Sequence, residues 1–195
     1  MSDVRVNPPS VRAYGTSAQE AFGSIRTSLE TLVSDAVSVD YYGPNAVDFK
    51  TKCGQLASDL ANALTTDMTK IADAVKTTTS NIASSLGGPP VDIQFNGSQI
   101  NAPAVPTGDE SVGANLPALE GMKGTAKGHF TAISEQFTNH LTSLQNTDWV
   151  GSAKDNAVGA VTGFTNGAKA KVEEANTAMT TYIDKQIEEI NKANK

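Results

Sequence analysis

The chain contains little sulfur and few aromatic side chains. Cys53 is the single cysteine among 195 residues, which excludes an intramolecular disulfide and a metal cluster built from several thiolates. Aromatic residues make up 6% of the sequence, and one residue is a tryptophan. The core must therefore consist mainly of small aliphatic side chains, which let helices approach one another closely.

An excess of positive charge and long apolar runs are also missing. The formal net charge is -6 at pH 7, whereas binding to nucleic acid requires a basic surface. The same charge argues against electrostatic binding to an anionic membrane. No apolar run approaches the roughly 20 residues of a membrane span, and residues 1–15 lack the apolar region of a Sec signal peptide. Export would therefore use a route other than Sec.

Motifs of catalysis and of metal binding are absent as well. The sequence has no Ser-His-Asp arrangement, no Gly-rich phosphate loop and no His-Glu-x-x-His motif. His129 and His140 are three helical turns apart, about 16 Å, which is too far for both to bind one metal ion. We therefore predict no enzyme activity, no catalytic residue, no cofactor and no metal site.

Four long segments carry apolar residues at alternating steps of three and four, the spacing of a helix that buries one stripe. The stripe of the first segment consists of Ala18, Phe22, Ile25, Leu29, Leu32 and Ala36, and that of the third of Met122, Ala126, Phe130, Ile133, Phe137, Leu141 and Leu144. This pattern predicts an all-α protein in which two tandem helical hairpins form a four-helix bundle.

The predicted organisation has four parts. They are an extended N-terminal arm over residues 1–15, a first hairpin over residues 16–86, a linker over residues 87–118 and a second hairpin over residues 119–195. The first helix is expected to begin at Thr16 or Ser17, since both are good N-cap residues.

The linker is rich in proline, glycine and asparagine, and it permits two interpretations. Residues 91–95 alternate between apolar and polar side chains, Asn96-Gly97 suits a type I′ turn, and residues 98–100 would return as a second strand. The segment is thus either a short β-hairpin that packs on the bundle or an unstructured linker.

Each hairpin turns at an aromatic-x-Gly motif, formed by Tyr41 and Gly43 in the first and by Trp149 and Gly151 in the second. The glycines can supply the positive φ that often ends a helix. Trp149 is expected to be a packing anchor, a recognition element for a partner, or both, and Tyr41 has the same interpretation.

The two hairpins match at a shift of 108 residues, without a gap. Phe22 then aligns with Phe130 and Ile25 with Ile133 in the seam, and Tyr41 aligns with Trp149 in the turn. A single shift that aligns both helices and the turn predicts an internal duplication. Each hairpin would bury its stripe against the other.

The doubled hairpin resembles the WxG-motif substrates of type VII secretion, the family of the early secreted antigenic target. Residues 144–153 match the family's turn, and residues 41–46 match it with tyrosine in place of tryptophan. The resemblance covers residues 16–86 and 119–195. Family members usually work as dimers of hairpins, so the resemblance implies such a dimer fused into one polypeptide.

The resemblance also implies a function. We expect a non-enzymatic protein of a bacterial type VII pathway, secreted or at the cell surface, whose partners are the secretion machinery or a related WxG protein. The family's C-terminal Tyr-x-x-x-Asp/Glu export signal is absent, however, because Gln186 follows Tyr182 at the fourth position.

Two alternative functions and the question of the oligomeric state therefore stay open. The first alternative is a cytoplasmic adaptor or chaperone that pairs with a larger secreted effector. The second is a secreted protein that perturbs membranes through freed amphipathic helices. Pairing between copies of this chain is open as well.

Two side chains with reactive chemistry fall on or beside the apolar seam. Cys53 is predicted to be a buried small hydrophobic residue and not a nucleophile. His140 aligns with Leu32 of the first hairpin, so we expect a structural histidine whose protonation at acidic pH loosens the bundle.

Overall fold

The computed structural model describes residues 3–93, 99–106 and 111–194, and within these ranges it has four long helices and four two-residue strands. The helices are α1 (Pro8–Ser38), α2 (Pro44–Ser85), α3 (Leu116–Gln145) and α4 (Ser152–Ala193). The strands are β1 (Arg5–Val6), β2 (Tyr41–Tyr42), β3 (Gly113–Ala114) and β4 (Trp149–Val150). The predicted all-α four-helix bundle is confirmed.

Helix α1 begins at Pro8, so the predicted start at Thr16 or Ser17 is wrong and residues 8–15 are helical. Asn7 is the cap, since its side-chain oxygen accepts a hydrogen bond from the backbone N–H of Ser10 at 3.4 Å. Proline suits the first helical position because that position's N–H has no partner within the helix. The prolines of the supposed arm therefore mark the start of a helix.

Helix α3 begins in the same way, at Leu116 and not at residue 119. Asn115 caps it, because its side-chain oxygen accepts a hydrogen bond from the backbone N–H of Ala118 at 3.1 Å. The second helical position is again a proline, Pro117. The linker is correspondingly shorter than predicted.

The bounds of the elements repeat at the shift of 108 residues that aligns the sequences. Helix α4 corresponds to α2 at both ends, and α3 corresponds to α1 except for one residue at its C-terminal end. Strands β3 and β4 correspond to β1 and β2. The two halves of the chain thus have the same elements in the same order.

Two compact units divide the chain. Unit 1 consists of Met1–Ile25, Ala63–Ser98 and Ser134–Lys169, and unit 2 of Arg26–Asn62, Gln99–Ile133 and Ala170–Lys195. Each unit contains a part of all four helices, so the units are not the two predicted hairpins. This division follows from the apolar stripes, which a hairpin cannot bury without helices of the other hairpin.

Each unit has a core of its own. The largest fully buried side chains of unit 1 are Phe22, Ile25, Leu64, Met68, Phe137 and Trp149. Those of unit 2 are Leu29, Leu32, Phe49, Leu119, Phe130 and Ile133. Five aromatic rings thus lie in these two cores.

The linker after α2 packs on the helices through single buried side chains. Residues 91–93 and 99–100 form no strand, so they do not support the β-hairpin that was one of the two interpretations of the linker, and residues 94–98 lie outside the described part of the chain. In unit 1, the Ser80 hydroxyl donates a hydrogen bond to the carbonyl of Val91 at 2.7 Å. In unit 2, the N–H of Ile100 donates to the side-chain oxygen of Asn62 at 3.0 Å, and the Ser58 hydroxyl donates to the carbonyl of Ile100 at 2.6 Å. Side chains of α2 thus pair with backbone groups that a second strand would otherwise satisfy.

The linker contact predicts a stability effect. The variant Ile100→Ala removes a buried side chain and should lower the free energy of unfolding by about 2 kcal/mol or more. Asn101→Ala, at the exposed neighbouring position, should change it by less than about 0.5 kcal/mol. Urea unfolding followed by circular dichroism measures both, and equal stabilities would show that the linker side chain adds nothing.

Candidate functional site at the aromatic-x-Gly turns

The unit 1 turn site consists of residues 4–7 and 148–151. Strand β1 pairs antiparallel with β4, and the backbone N–H of Asn7 donates to the carbonyl of Asp148 at 3.0 Å. The Asp148 carboxylate accepts hydrogen bonds from the Arg5 guanidinium at 2.7 Å and from the Asn7 side-chain amide at 3.0 Å. The turn of the second hairpin therefore binds the segment that leads into the first hairpin.

The unit 2 turn site consists of residues 112–115 and 40–43. Here the turn of the first hairpin contacts the segment that leads into the second hairpin. Strand β2 pairs antiparallel with β3. Asn115 donates from its backbone N–H to the carbonyl of Asp40 and from its side-chain amide to the Asp40 carboxylate, both at 3.0 Å. The counterpart of Arg5 here is Gly113, and a Cβ at this position would overlap the phenol ring of Tyr42. The backbone pattern is thus the same in both units, while the side chains on it differ.

The glycines of the two motifs are required by the backbone. Gly43 has a φ of 108° and Gly151 a φ of 125°, values that other residues rarely adopt. A Cβ on Gly43 would also lie 2.7 Å from a side-chain carbon of Val112. The carbonyl of Gly43 accepts the N–H of Ala46 at 3.0 Å, and that of Gly151 accepts the N–H of Lys154 at 2.9 Å. Both glycines therefore end a turn and start the next helix.

The aromatic residues of the motifs are buried. Trp149 is 1% exposed and Tyr41 is 6% exposed. The indole N–H of Trp149 has no hydrogen-bond partner among the described residues. Tyr41 packs edge-on against Phe49, with ring centroids 5.7 Å apart. Both rings thus have a packing role, which is one of the two roles that the sequence suggested for them; the other is the recognition of a partner.

Four exposed apolar side chains lie beside these buried rings, and they occupy equivalent positions. In unit 1 they are Val4 and Val150, which are 58% and 40% exposed. In unit 2 they are Val112 and Tyr42, which are 74% and 46% exposed. Leu86 is the other large apolar side chain that is exposed in the described part of the chain. We call these two pairs the exposed turn residues.

The structure does not combine the four predicted motif residues into one site, since Tyr41 and Gly43 lie in unit 2 and Trp149 and Gly151 in unit 1. Sequence reasoning missed the exposed turn residues. Successive side chains of a strand point to opposite faces, so the residue after a buried aromatic is exposed. That rule would have identified Tyr42 and Val150.

Unit 1 also contains a buried polar pair. His140 is 1% exposed, and its Nε2 lies 2.8 Å from the Tyr14 hydroxyl. The Phe22 ring lies 4.7 Å from the imidazole, and Nδ1 has no hydrogen-bond partner among the described residues. Burial lowers the pKa of His140 from 6.5 to about 4, so the imidazole is neutral at pH 7. The equivalent pair in unit 2 is Met122 and Leu32, which is apolar.

The remaining candidates for reactive or metal-binding groups, Cys53 and His129, do not belong to a cluster of metal-binding side chains in the described ranges. Cys53 is buried as predicted, and burial raises the pKa of its thiol to about 12. His129 lies 3.6 Å from the carboxylate of Asp35 in unit 2. No group of three or more His, Cys, Asp or Glu side chains in the described ranges is arranged to hold a metal ion. In the same ranges, no helix has both the length and the apolar character needed to cross a membrane.

The reciprocal turn contacts predict unequal effects of two equivalent variants. Asp148→Ala removes the hydrogen-bond acceptor of the Arg5 and Asn7 side chains, whereas Asp40→Ala removes that of the Asn115 side chain. Each should lower the free energy of unfolding by about 1–2 kcal/mol, and Asp148→Ala should cost slightly more. Asp73→Ala, at an exposed position of α2, is the control. If Asp148→Ala and Asp40→Ala are as stable as this control in urea unfolding, the turn contacts do not stabilise the fold.

The buried histidine predicts a pH dependence of stability. Because the pKa is lower in the folded state, the unfolded state binds more protons between about pH 6.5 and about pH 4. Stability should therefore fall as the pH falls through this window, by up to about 3 kcal/mol. The double variant Tyr14→Met, His140→Leu copies the apolar pair of unit 2. It should remove the loss of stability that protonation of His140 causes. Denaturant unfolding at several pH values tests it, and an unchanged pH slope in the variant would refute the assignment.

The chain was compared with models of protein families, with curated proteins and with solved structures, and none of these comparisons gave a match.

Proposed function

We propose that this protein acts in a bacterial type VII secretion pathway as a secreted, non-enzymatic helical-bundle protein that works by binding other proteins. The observation that carries the proposal is the reciprocal contact at the aromatic-x-Gly turns. Asp148 binds the lead-in segment of α1, and Asp40 binds that of α3. The WxG family, which the sequence resembles, builds its bundles from two hairpins, and here both hairpins belong to one chain.

The exposed turn residues are the proposed contact surface for a protein partner. Exposed apolar side chains next to polar groups are typical of protein interfaces. In unit 1, Val4 and Val150 lie beside the ion pair of Arg5 and Asp148. The buried Trp149 and Tyr41 would hold these surfaces in place rather than contact the partner.

A second candidate function is a cytoplasmic adaptor that pairs with a larger secreted effector. The observation in its favour concerns Tyr182, the tyrosine nearest to the expected position of the export signal. Its ring stacks on Phe49 at 5.5 Å, and Gln186, in the place of the acidic signal residue, is 9% exposed. Tyr182 is half-buried and Gln186 is buried, so a receptor for an export signal would find only part of this pair at the surface, which fits a protein that another subunit carries.

The location of the protein separates the two candidates. We expect it in the culture filtrate of the native host, and we expect it to be absent from the filtrate of a strain without the type VII export ATPase. A cytoplasmic marker protein controls for lysis. Retention in the lysate of both strains would reject the secreted role, and a stoichiometric effector that co-purifies from the lysate would establish the adaptor.

The proposed contact surface can be tested by exposed substitutions that leave the core intact. Val4→Ser with Val150→Ser, and Tyr42→Ser with Val112→Ser, should each reduce the amount of protein in the filtrate several-fold. Their thermal stability should change little, because exposed side chains contribute within about 0.5 kcal/mol. Leu86→Ser is the matched control at an exposed position outside the turn sites. Export of both double variants at the wild-type level would remove the turn sites from the proposal.

A further inference from the structure

Unit 1 contains a cavity of about 290 Å³ between α2 and α4. Apolar side chains form most of its lining, among them Ile71, Ala74, Val75, Ala157, Ala160 and Val161. Val75 and Val161 are buried and form the inner part, whereas Ala74 and Ala160 are exposed. Two polar side chains, Thr78 and Asn156, complete the lining. The cavity is therefore open to solvent on one side and apolar at its base.

The equivalent position in unit 2 is filled by aromatic rings. At the shift of 108 residues, Ala74 corresponds to Tyr182 and Ala157 to Phe49. The two rings stack with their centroids 5.5 Å apart and their planes at 16°. Lys52, which corresponds to Ala160, places its ammonium group 4.6 Å from the centre of the Tyr182 ring. Unit 1 thus has two methyl groups where unit 2 has a stacked pair of aromatic side chains.

The difference between the two units indicates which kind of ligand the cavity can accommodate. The backbone elements around both positions have the same bounds, and unit 1 has a cavity at the position where unit 2 has two rings. A volume near the lower limit for ligand pockets suits a small molecule, and since a cavity of about 150 Å³ already holds benzene, this one has room for an aromatic ring with its substituents. Methyl groups offer dispersion contacts to the faces of a ring, and Thr78 and Asn156 offer hydrogen bonds to a substituent on its edge.

We propose that this cavity of unit 1 binds a single aromatic ring that carries a small polar substituent, as a phenol does. The inference does not depend on the proposed function, because it rests on the lining of the cavity and on its filled counterpart. Two sources supply such a ring, a free small aromatic compound and a tyrosine side chain of another polypeptide.

The test is a titration of the full chain, with its alanine, isoleucine and valine methyl groups labelled with carbon-13, followed by nuclear magnetic resonance. Added p-cresol should cause saturable shifts at the methyl groups of Ala74, Ala157 and Val161, with one site per chain. The absence of saturable shifts at these methyl groups would overturn the proposal. Cyclohexanol is the non-aromatic control, and equal binding of cyclohexanol would overturn the assignment to an aromatic ring.

A second probe distinguishes the sources of the ring. N-acetyl-tyrosine amide carries the same phenol on a peptide backbone. If it shifts the same methyl groups as p-cresol, the cavity accepts a tyrosine side chain. If p-cresol alone causes the shifts, the cavity binds free aromatic compounds. Either result supports the site.

A matched variant fills the cavity as unit 2 does. Ala74→Tyr with Ala157→Phe should raise the melting temperature and weaken p-cresol binding by at least about tenfold, since its own rings occupy the volume. If circular dichroism shows that this variant does not fold, Ala157→Phe alone adds one ring and should give the same loss. A folded variant that binds p-cresol as tightly as the wild type would overturn the proposal.

Discussion

The hydrogen bonds between two asparagines and two aspartates underlie the arrangement of this protein. The side-chain oxygen of Asn7 caps α1, and its amide donates to Asp148 in the turn of the other hairpin. Asn115 does the same for α3 with Asp40. One side chain thus both starts a helix and joins the two hairpins. Because the two roles share a residue, the helix ends and the pairing of the hairpins are expected to form cooperatively.

The two units share this backbone pattern but differ in the side chains that it holds. Unit 1 has a buried tyrosine–histidine pair where unit 2 has Met122 and Leu32. Unit 1 has a cavity where unit 2 has the stacked rings of Phe49 and Tyr182. We therefore expect the acid sensitivity of His140 and the ligand binding in unit 1. The same backbone elements thus hold cores that differ in polarity at one position and in filled volume at another.

The helices and turns could be predicted from the sequence, because a heptad stripe and a turn glycine are local signals. The start of α1 could have been predicted too, since Asn7 before Pro8 is a capping pattern, but the two prolines suggested an extended arm. The two-residue strands could not be predicted, because they form only against a partner far away in the chain. The sequence suggested a packing role for Trp149 but left a recognition role open, since a turn aromatic packs inward or outward according to its tertiary neighbours.

The contacts of the linker with α2 have a consequence for how the two hairpins stay together. Val91 and Ile100 are held against α2, which limits the freedom of the tether between the hairpins. Hairpins on separate chains dissociate on dilution, whereas joined hairpins meet at a fixed effective concentration. A joined and partly immobilised pair should remain assembled however few copies a cell makes. A linker held at two points should also reduce the exchange of one hairpin with a neighbouring chain.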